Sequence, residues 1–476
     1  MGKTAIRFAI IACFAAFLAS PAPAGAVGVT WMKGFAAPGT PAKYDRVGVI
    51  KVGPASAENV LVLEPGTSAG AAYFVPLARW IASTAKGWQV WSVERRENLL
   101  EDQSVLNLAK EGKASPMEVF NYYLGWLANS KIKRHIPTSD LSLNLAFAKR
   151  WGMNVAVQDL HRVIGAAKRL GGKVVLGGHS LGGAVVTAYA TWNFSGRAGA
   201  DDLAGLVYDD GASFPGESAA QASAALQKLD APAQTPWLSF GGISAPFAGL
   251  FNAIGSLGAR IAPDIPSLGQ TFPLLPAYLK PPVPVTNLAE YGYALNVGTS
   301  PMSLSAAQAH LGKGVSARTI HGYHTWDGSG ALTPIKRFAT MFSGLGMLGV
   351  DGTEWYFPQR LTDDTAAVGN GIANPAQSVL DVHSTMGRHL PKTLKIYAFG
   401  AALGGALVPA ATVALAKQSG IPMRNLTLLN RQSTYAHNDP AGAFPHNVFF
   451  TNLVRFLGKV AQLAPLPGAR HLHGLQ

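Results

Sequence analysis

Short runs of aliphatic and β-branched residues, bounded by Gly, Pro or charge, alternate along this chain with stretches of helical apolar spacing. Val47 to Val52, Val60 to Leu63 and Trp88 to Val93 read as strands. Ala71 to Ala85 has helical apolar spacing, so the stretch from Val60 to Val93 predicts a βαβ unit. Glu101 to Arg150 breaks the alternation. Its amphipathic run Met117 to Ala128, followed by Ile132 to Pro137, predicts a helical insertion over 103–150. The pattern returns with a helix over Val155 to Leu170, ended by Gly171-Gly172. A buried strand over Lys173 to Gly177 follows, then a packed helix over Ala184 to Ala190. Leu203 to Tyr208 is a further strand, ending at Asp209-Asp210-Gly211.

Phe214 to Pro391 interrupts again with Pro-, Gly- and Ala-rich sequence. Periodic pieces occur at Ala219 to Leu229, Leu304 to Leu311 and Pro334 to Phe342. A structureless loop of that length does not suit a compact domain, so 214–391 reads as a mainly helical lid domain. Thr393 to Phe399 and Leu426 to Asn430 resume the strands, with helices over Leu407 to Gln418 and Phe444 to Phe456. Residues 27–213 and 392–476 therefore predict one α/β domain, a mainly parallel sheet with helices on both faces.

Residues 1–26 change the picture of location. Lys3 and Arg7 precede an apolar core from Phe8 to Leu18, and Ala24-Gly25-Ala26 fits a small-x-small cleavage site. This predicts a signal peptide and a secreted or periplasmic protein. Roughly 20 apolar residues are needed to span a bilayer, and Pro21 and Pro23 interrupt early, so stable membrane insertion is not expected. Cys13 is the only cysteine and falls inside this segment, which excludes thiol chemistry in the mature chain. The net charge is +13, but only 14% of residues are charged and none form a long basic block. The charge reads as solubility rather than a nucleic-acid groove.

The sharpest chemical signal is Gly178-His179-Ser180-Leu181-Gly182, a serine flanked by glycines between a strand and a helix. The chain must reverse there, and a side chain at either flank collides with the turn. This is a nucleophile elbow. A neutral hydroxyl is a weak nucleophile and needs a base. His437, in Tyr435-Ala436-His437-Asn438-Asp439 after the last strand, is the best placed, ahead of His446 and His383. His179 itself is expected to pack at the elbow. No H-E-x-x-H occurs, and His321, His324 and Asp327 suit a pocket rim better than a metal. No G-x-G-x-x-G follows the first strands, so no metal or cofactor is expected.

This ordering resembles the α/β-hydrolase family, as a serine esterase- or lipase-like member with a large lid. The resemblance covers 45–240 and 390–460 and implies the order serine, acid, histidine. The sequence departs from the commonest pattern in its acid, since no Asp or Glu occurs from Thr393 to Asn438. The resemblance allows the acid to follow the preceding strand instead. Adjacent strand residues point oppositely, so only one of the pair can face the histidine; Asp210, beyond the buried run and at the rim, is favoured, with Asp209 as runner-up and Asp381 of the lid behind them. An oxyanion hole needs two backbone donors. Leu181 at the helix start supplies one, and the resemblance implies Thr67 or Ser68 for the other, in the loop Glu64 to Gly70.

The lid combines aromatics with few charges. Trp355, Tyr356 and Phe357, its densest group, are expected to join His179 in the substrate pocket, with Arg360 and Asp363 at the rim. Phe240, Phe247, Phe251, Phe272, Tyr278, Tyr291 and Tyr293 are further candidates. These features point to a small-molecule or lipid-like ester with a medium or bulky apolar group. The alternatives are an amidase, peptidase or acyltransferase of the same fold, or a non-catalytic secreted binding protein.

Overall fold

A computed structural model describes residues 28–132, 145–214, 216–240 and 243–463. The expected signal peptide lies outside the described residues. Eight strands form one sheet: β1 (Thr30–Lys33), β2 (Arg46–Val52), β3 (Asn59–Glu64), β4 (Trp88–Glu94), β5 (Val174–His179), β6 (Gly205–Asp209), β7 (Lys395–Gly400) and β8 (Leu426–Asn430). Their spatial order is β1-β2-β4-β3-β5-β6-β7-β8. Only β2 runs against its neighbours; β4 through β8 are parallel. This is the α/β-hydrolase fold. The strand β1 was not expected from the sequence. It is a short edge strand with both ends exposed, and carries little apolar pattern.

The inner strands are covered on both faces, so they read as continuous apolar runs rather than alternating ones. Their side chains still divide with a period of two. Val60, Val62, Leu176, Leu206 and Ile396 enter one core. Leu61, Leu63, Val175, Val207 and Tyr397 enter the other. The first core packs against α2 (Met153–Lys168) and α3 (Leu181–Thr191). The second packs against α1 (Val75–Thr84) and the terminal helix Val448–Ala461. The terminal helix starts later than the sequence predicts. Asn447 caps it by accepting from the Phe450 N–H at 3.0 Å, and Pro445 keeps the preceding turn out of the helix.

Residues 214–391 supply no strand to the eight-stranded sheet among the described residues; their strands pair only with one another. The segment is helical in part, with Ala245–Ile261, Asn287–Leu295, Ile335–Ser343 and Gln359–Val368 as its main helices. It also holds a hairpin, Gly314–Ile320 with Tyr323–Asp327. The longest helix, Ala245–Ile261, is not among the sequence's periodic pieces, because Gly249, Gly255 and Gly258 weaken its helical signal. The segment also contributes to both cores. Phe338 and Phe342 enter the core under α1, while Leu361 and Val368 enter the core beside α2 and α3.

Candidate active site

Strand β5 delivers Ser180 to a sharp turn. Its backbone sits at φ 56°, ψ −126°, a strained conformation for a residue with a side chain. The surroundings enforce it. The Ser180 N–H donates to Asp209 O at 3.0 Å, and the Gly183 N–H donates to Ser180 O at 2.9 Å. A Cβ on Gly178 would strike the Gly182 carbonyl, and one on Gly182 would strike the Glu64 carbonyl. Only glycine permits that approach.

The loop after β8 brings His437 to the same place. His437 Nδ1 lies 2.6 Å from Asp210 Oδ2, and both side chains are buried. Asp210 follows β6, and its φ of 46° turns its carboxylate away from the strand. The loop after β7, which has no acid of its own, surrounds that carboxylate with amides. Asp210 Oδ1 accepts from the N–H groups of Ala401 (2.6 Å), Gly404 (2.9 Å) and Gly405 (3.3 Å), and Oδ2 from Leu403 (3.1 Å). Burial opposes ionisation of Asp210. The bonds from His437 and Ala401 outweigh it and hold the carboxyl below its ordinary range. Asp209 faces the other way. Neither of its oxygens has a partner among the described residues, and burial, with Asp210 nearby, pushes its pKa well up.

His179 stacks against Tyr73, ring centroids 5.1 Å apart, and lies 4.3 Å from the His437 ring. Its Nε2 is 3.0 Å from His437 O, a contact that requires a proton on Nε2. Burial, and then the neighbouring His437, lower its pKa to about 3, so it stays neutral. Tyr73 donates to Asn438 Oδ1 at 3.0 Å. One further pair was not foreseen. His310 Nδ1 meets Asp439 Oδ2 at 2.5 Å, tying residues 306–310 to the loop that carries His437. Asp439 also accepts from Thr333 Oγ1 at 2.6 Å and from the Ala436 N–H at 2.7 Å. The sequence shows His310 and Asp439 129 residues apart, with no local signal linking them.

Ser180 and His437 open on a cavity of about 470 Å³. Phe251, Ile254, Leu257, Phe272 and Tyr291 are among its mostly apolar lining. Phe240, Tyr278 and His179 also line it, whereas Phe247 and Tyr293 do not. Trp355, Tyr356 and Phe357 are a correction to the sequence reading. They are 1%, 4% and 0% exposed and belong to the core beneath the site. Trp355 packs edge-on to Tyr123, Tyr356 edge-on to Trp237, and Phe357 under the Arg95 guanidinium. Dense aromatics signal burial, and the sequence cannot say on which side. Arg360 and Asp363 are likewise not at the rim. Arg360 is buried on Asp364, and Asp363 accepts from Gln359. Asp381 and His383 pair with one another at the surface, and His446 is exposed. His324 Nδ1 meets Ser316 O within its hairpin.

Leu181 begins α3, so its N–H has no carbonyl one turn back. Across the cleft, the Thr67 and Ser68 N–H groups find no acceptor among the described residues. Both residues line the cavity. Gly66 lies against Ser180: a Cβ there would come within 2.8 Å of Ser180 Cβ. The arrangement can hold a carbonyl carbon at Ser180 with free amides on two sides, and can move a proton through His437. Among the described residues no group of three His, Cys, Asp or Glu could hold a metal ion, and no helix is long and apolar enough to cross a membrane.

No protein-family model matches the chain, and no curated protein matches it. Solved structures with a related shape do. A Sulfolobus solfataricus protein assigned as a lipase aligns over 90% of this chain and 93% of its own, with 14% identity and a TM-score of 0.45. A soluble variant of the Saccharomyces cerevisiae monoglyceride lipase aligns over 88% and 92%, with 10% identity and a TM-score of 0.35. A carboxyl esterase of Bacillus coagulans aligns over 91% and 98%, with 8% identity and a TM-score of 0.38. The fold assignment rests on strand order and the elbow, not on these distant likenesses.

Proposed function

We propose that the protein is a serine hydrolase that cleaves carboxylic esters through an acyl-enzyme intermediate. The observation that carries this reading is that Ser180 and His437 line one large, mostly apolar cavity while Asp210 holds His437 from behind. Ser180 Oγ attacks the ester carbonyl, and His437 takes its proton. The imidazolium so formed is balanced by Asp210, already fixed on Nδ1. The amides of Leu181 and Thr67 receive the oxyanion. Collapse expels the alcohol, which takes the proton from His437. Water, activated by the same histidine, then releases the acid and restores Ser180.

The cavity lining supports an acyl or alcohol group of substantial apolar size. The first 26 residues support export to the periplasm or the medium. The test is labelling with a fluorophosphonate, followed by mass mapping of the adduct, and a screen of p-nitrophenyl esters of graded chain length. Adduct on Ser180 and ester turnover abolished by S180A are expected. Absence of both, in folded protein, removes the reading in favour of a binding role. Turnover of amides in preference to esters moves it to an amidase.

A further inference from the structure

Arg95, at the end of β4, is buried behind the loop that faces Ser180. Every guanidinium nitrogen is engaged. Nη1 donates to Glu64 Oε1 (2.7 Å) and Pro65 O (3.0 Å). Nη2 donates to Gly66 O (3.0 Å), Ala69 O (3.0 Å) and Glu354 Oε2 (2.5 Å), and Nε to Glu354 Oε2 (2.8 Å). Three carbonyls of one short loop thus converge on one side chain.

A trans peptide unit points its C=O and its N–H in opposite directions. With Gly66 O turned onto Arg95, the Thr67 N–H of the same unit must turn away from Arg95. Thr67 lines the cavity, and Gly66 presses on Ser180 Cβ, so the side away from Arg95 is the side of the serine. The segment at 353–354 locks the loop from outside. The Glu354 N–H donates to Ser68 O at 2.9 Å, and Ser68 Oγ donates to Glu354 O at 3.2 Å. Glu354 also supplies the carboxylate that holds Arg95, so the 214–391 segment reaches the oxyanion loop through this ion pair.

We propose that Arg95 is a positioning residue for the oxyanion hole, fixing the Thr67 N–H toward Ser180 by holding the Pro65, Gly66 and Ala69 carbonyls, with Glu354 as its anchor. The proposal rests on the hydrolase reading above and names what makes its oxyanion site rigid. Arg95 acts through the backbone and touches no reacting atom. Its role depends on a planar fork of donors, which lysine lacks.

The experiment compares wild type, R95K and R95M on a p-nitrophenyl ester. It also measures inhibition by an alkyl boronic acid, whose serine adduct carries the oxyanion, against a non-reactive ether of equal length. Both variants are expected to lose about 100-fold in kcat, the scale of one lost oxyanion donor, with KM held within about threefold. Boronic acid affinity should fall in parallel while ether affinity stays. Fluorophosphonate-labelled wild type with unchanged kcat in both variants overturns the Arg95 role alone. An unlabelled Ser180 in folded wild type overturns the hydrolase reading and this role with it. Should the variants fail to fold, the crystal structure of the wild-type phosphonyl adduct decides. A phosphonyl oxygen within about 3.1 Å of the Thr67 N supports the role, and one bound elsewhere overturns it.

Discussion

His437 Nδ1 lies 2.6 Å from Asp210 Oδ2, and the bond joins two loops 227 residues apart in the chain. The amides of Ala401, Gly404 and Gly405 hold the other oxygen of the carboxylate, and Leu403 shares Oδ2 with His437. Asp210 is thereby kept ionised in a buried site and fixes which ring nitrogen of His437 carries the proton. In the proposed mechanism this leaves Nε2 free to serve as the base for Ser180, which lines the same cavity. The acid comes from one strand and its amide cradle from the next.

Replacing Asp210 by Asn keeps the shape but loses the charge. D210N is expected to lower kcat at least ~100-fold on an activated ester, because the wrong tautomer and an unbalanced imidazolium both result. D209N should stay within a few-fold of wild type. Burial pushes the Asp209 pKa well up, and its oxygens find no partner among the described residues. Steady-state kinetics on the two purified variants ranks them; the reverse ranking would assign the role to Asp209.

Ser180 and His437 act as one unit in this scheme. S180A, H437A and the double variant should each fall by several orders of magnitude, and the double should be no worse than the worse single. Additive losses measured as ΔΔG‡ would show that the two residues work separately.

Gly258 lines the cavity, and a Cβ there meets only Asn287 side-chain atoms, none nearer than 3.5 Å. A larger side chain at this position would occupy substrate space. G258L is expected to lower kcat/KM for long-chain p-nitrophenyl esters at least ~10-fold and to affect short-chain esters less, since these fill less of the cavity. Leaving glycine inside a helix should also raise stability by about 0.5–1 kcal/mol. Chain-length profiles and a thermal melt check both expectations.

Glu290 lines the cavity, accepts from Ser267 Oγ, and is pushed up to about 7 chiefly by burial. A carboxyl raised on folding binds more protons in the native state, so its contribution to stability is full below the ordinary pKa of 4.5 and is lost as pH rises through about 7. E290Q cannot ionise. Its melting temperature relative to wild type should therefore climb between pH 5 and pH 8 and level off beyond. A difference that is flat across the range would show that Glu290 keeps its ordinary titration.

The elbow and the strand-helix alternation could be read from the sequence because they are local. A glycine-flanked serine between an apolar strand and a small-residue helix has one steric solution, and the buried strands of a two-faced sheet announce themselves as unbroken apolar runs. The position of His437 after the last strand, and the lack of any acid from Thr393 to Asn438, were equally open to reading.

The face to which each side chain turns was decided only by the tertiary structure. Asp209 and Asp210 are neighbours with the same chemistry, and their difference lies in a φ of 46° at Asp210 and in amides supplied by a loop some 190 residues away. Trp355, Tyr356 and Phe357 carry the composition of a pocket wall, yet they pack into the core, Phe357 under Arg95, since hydrophobicity drives burial without direction. The Arg95 to Glu354 and His310 to Asp439 pairs join segments 259 and 129 residues apart. Such long-range pairing is set by how the 214–391 segment wraps the sheet, and no periodicity within either segment encodes it.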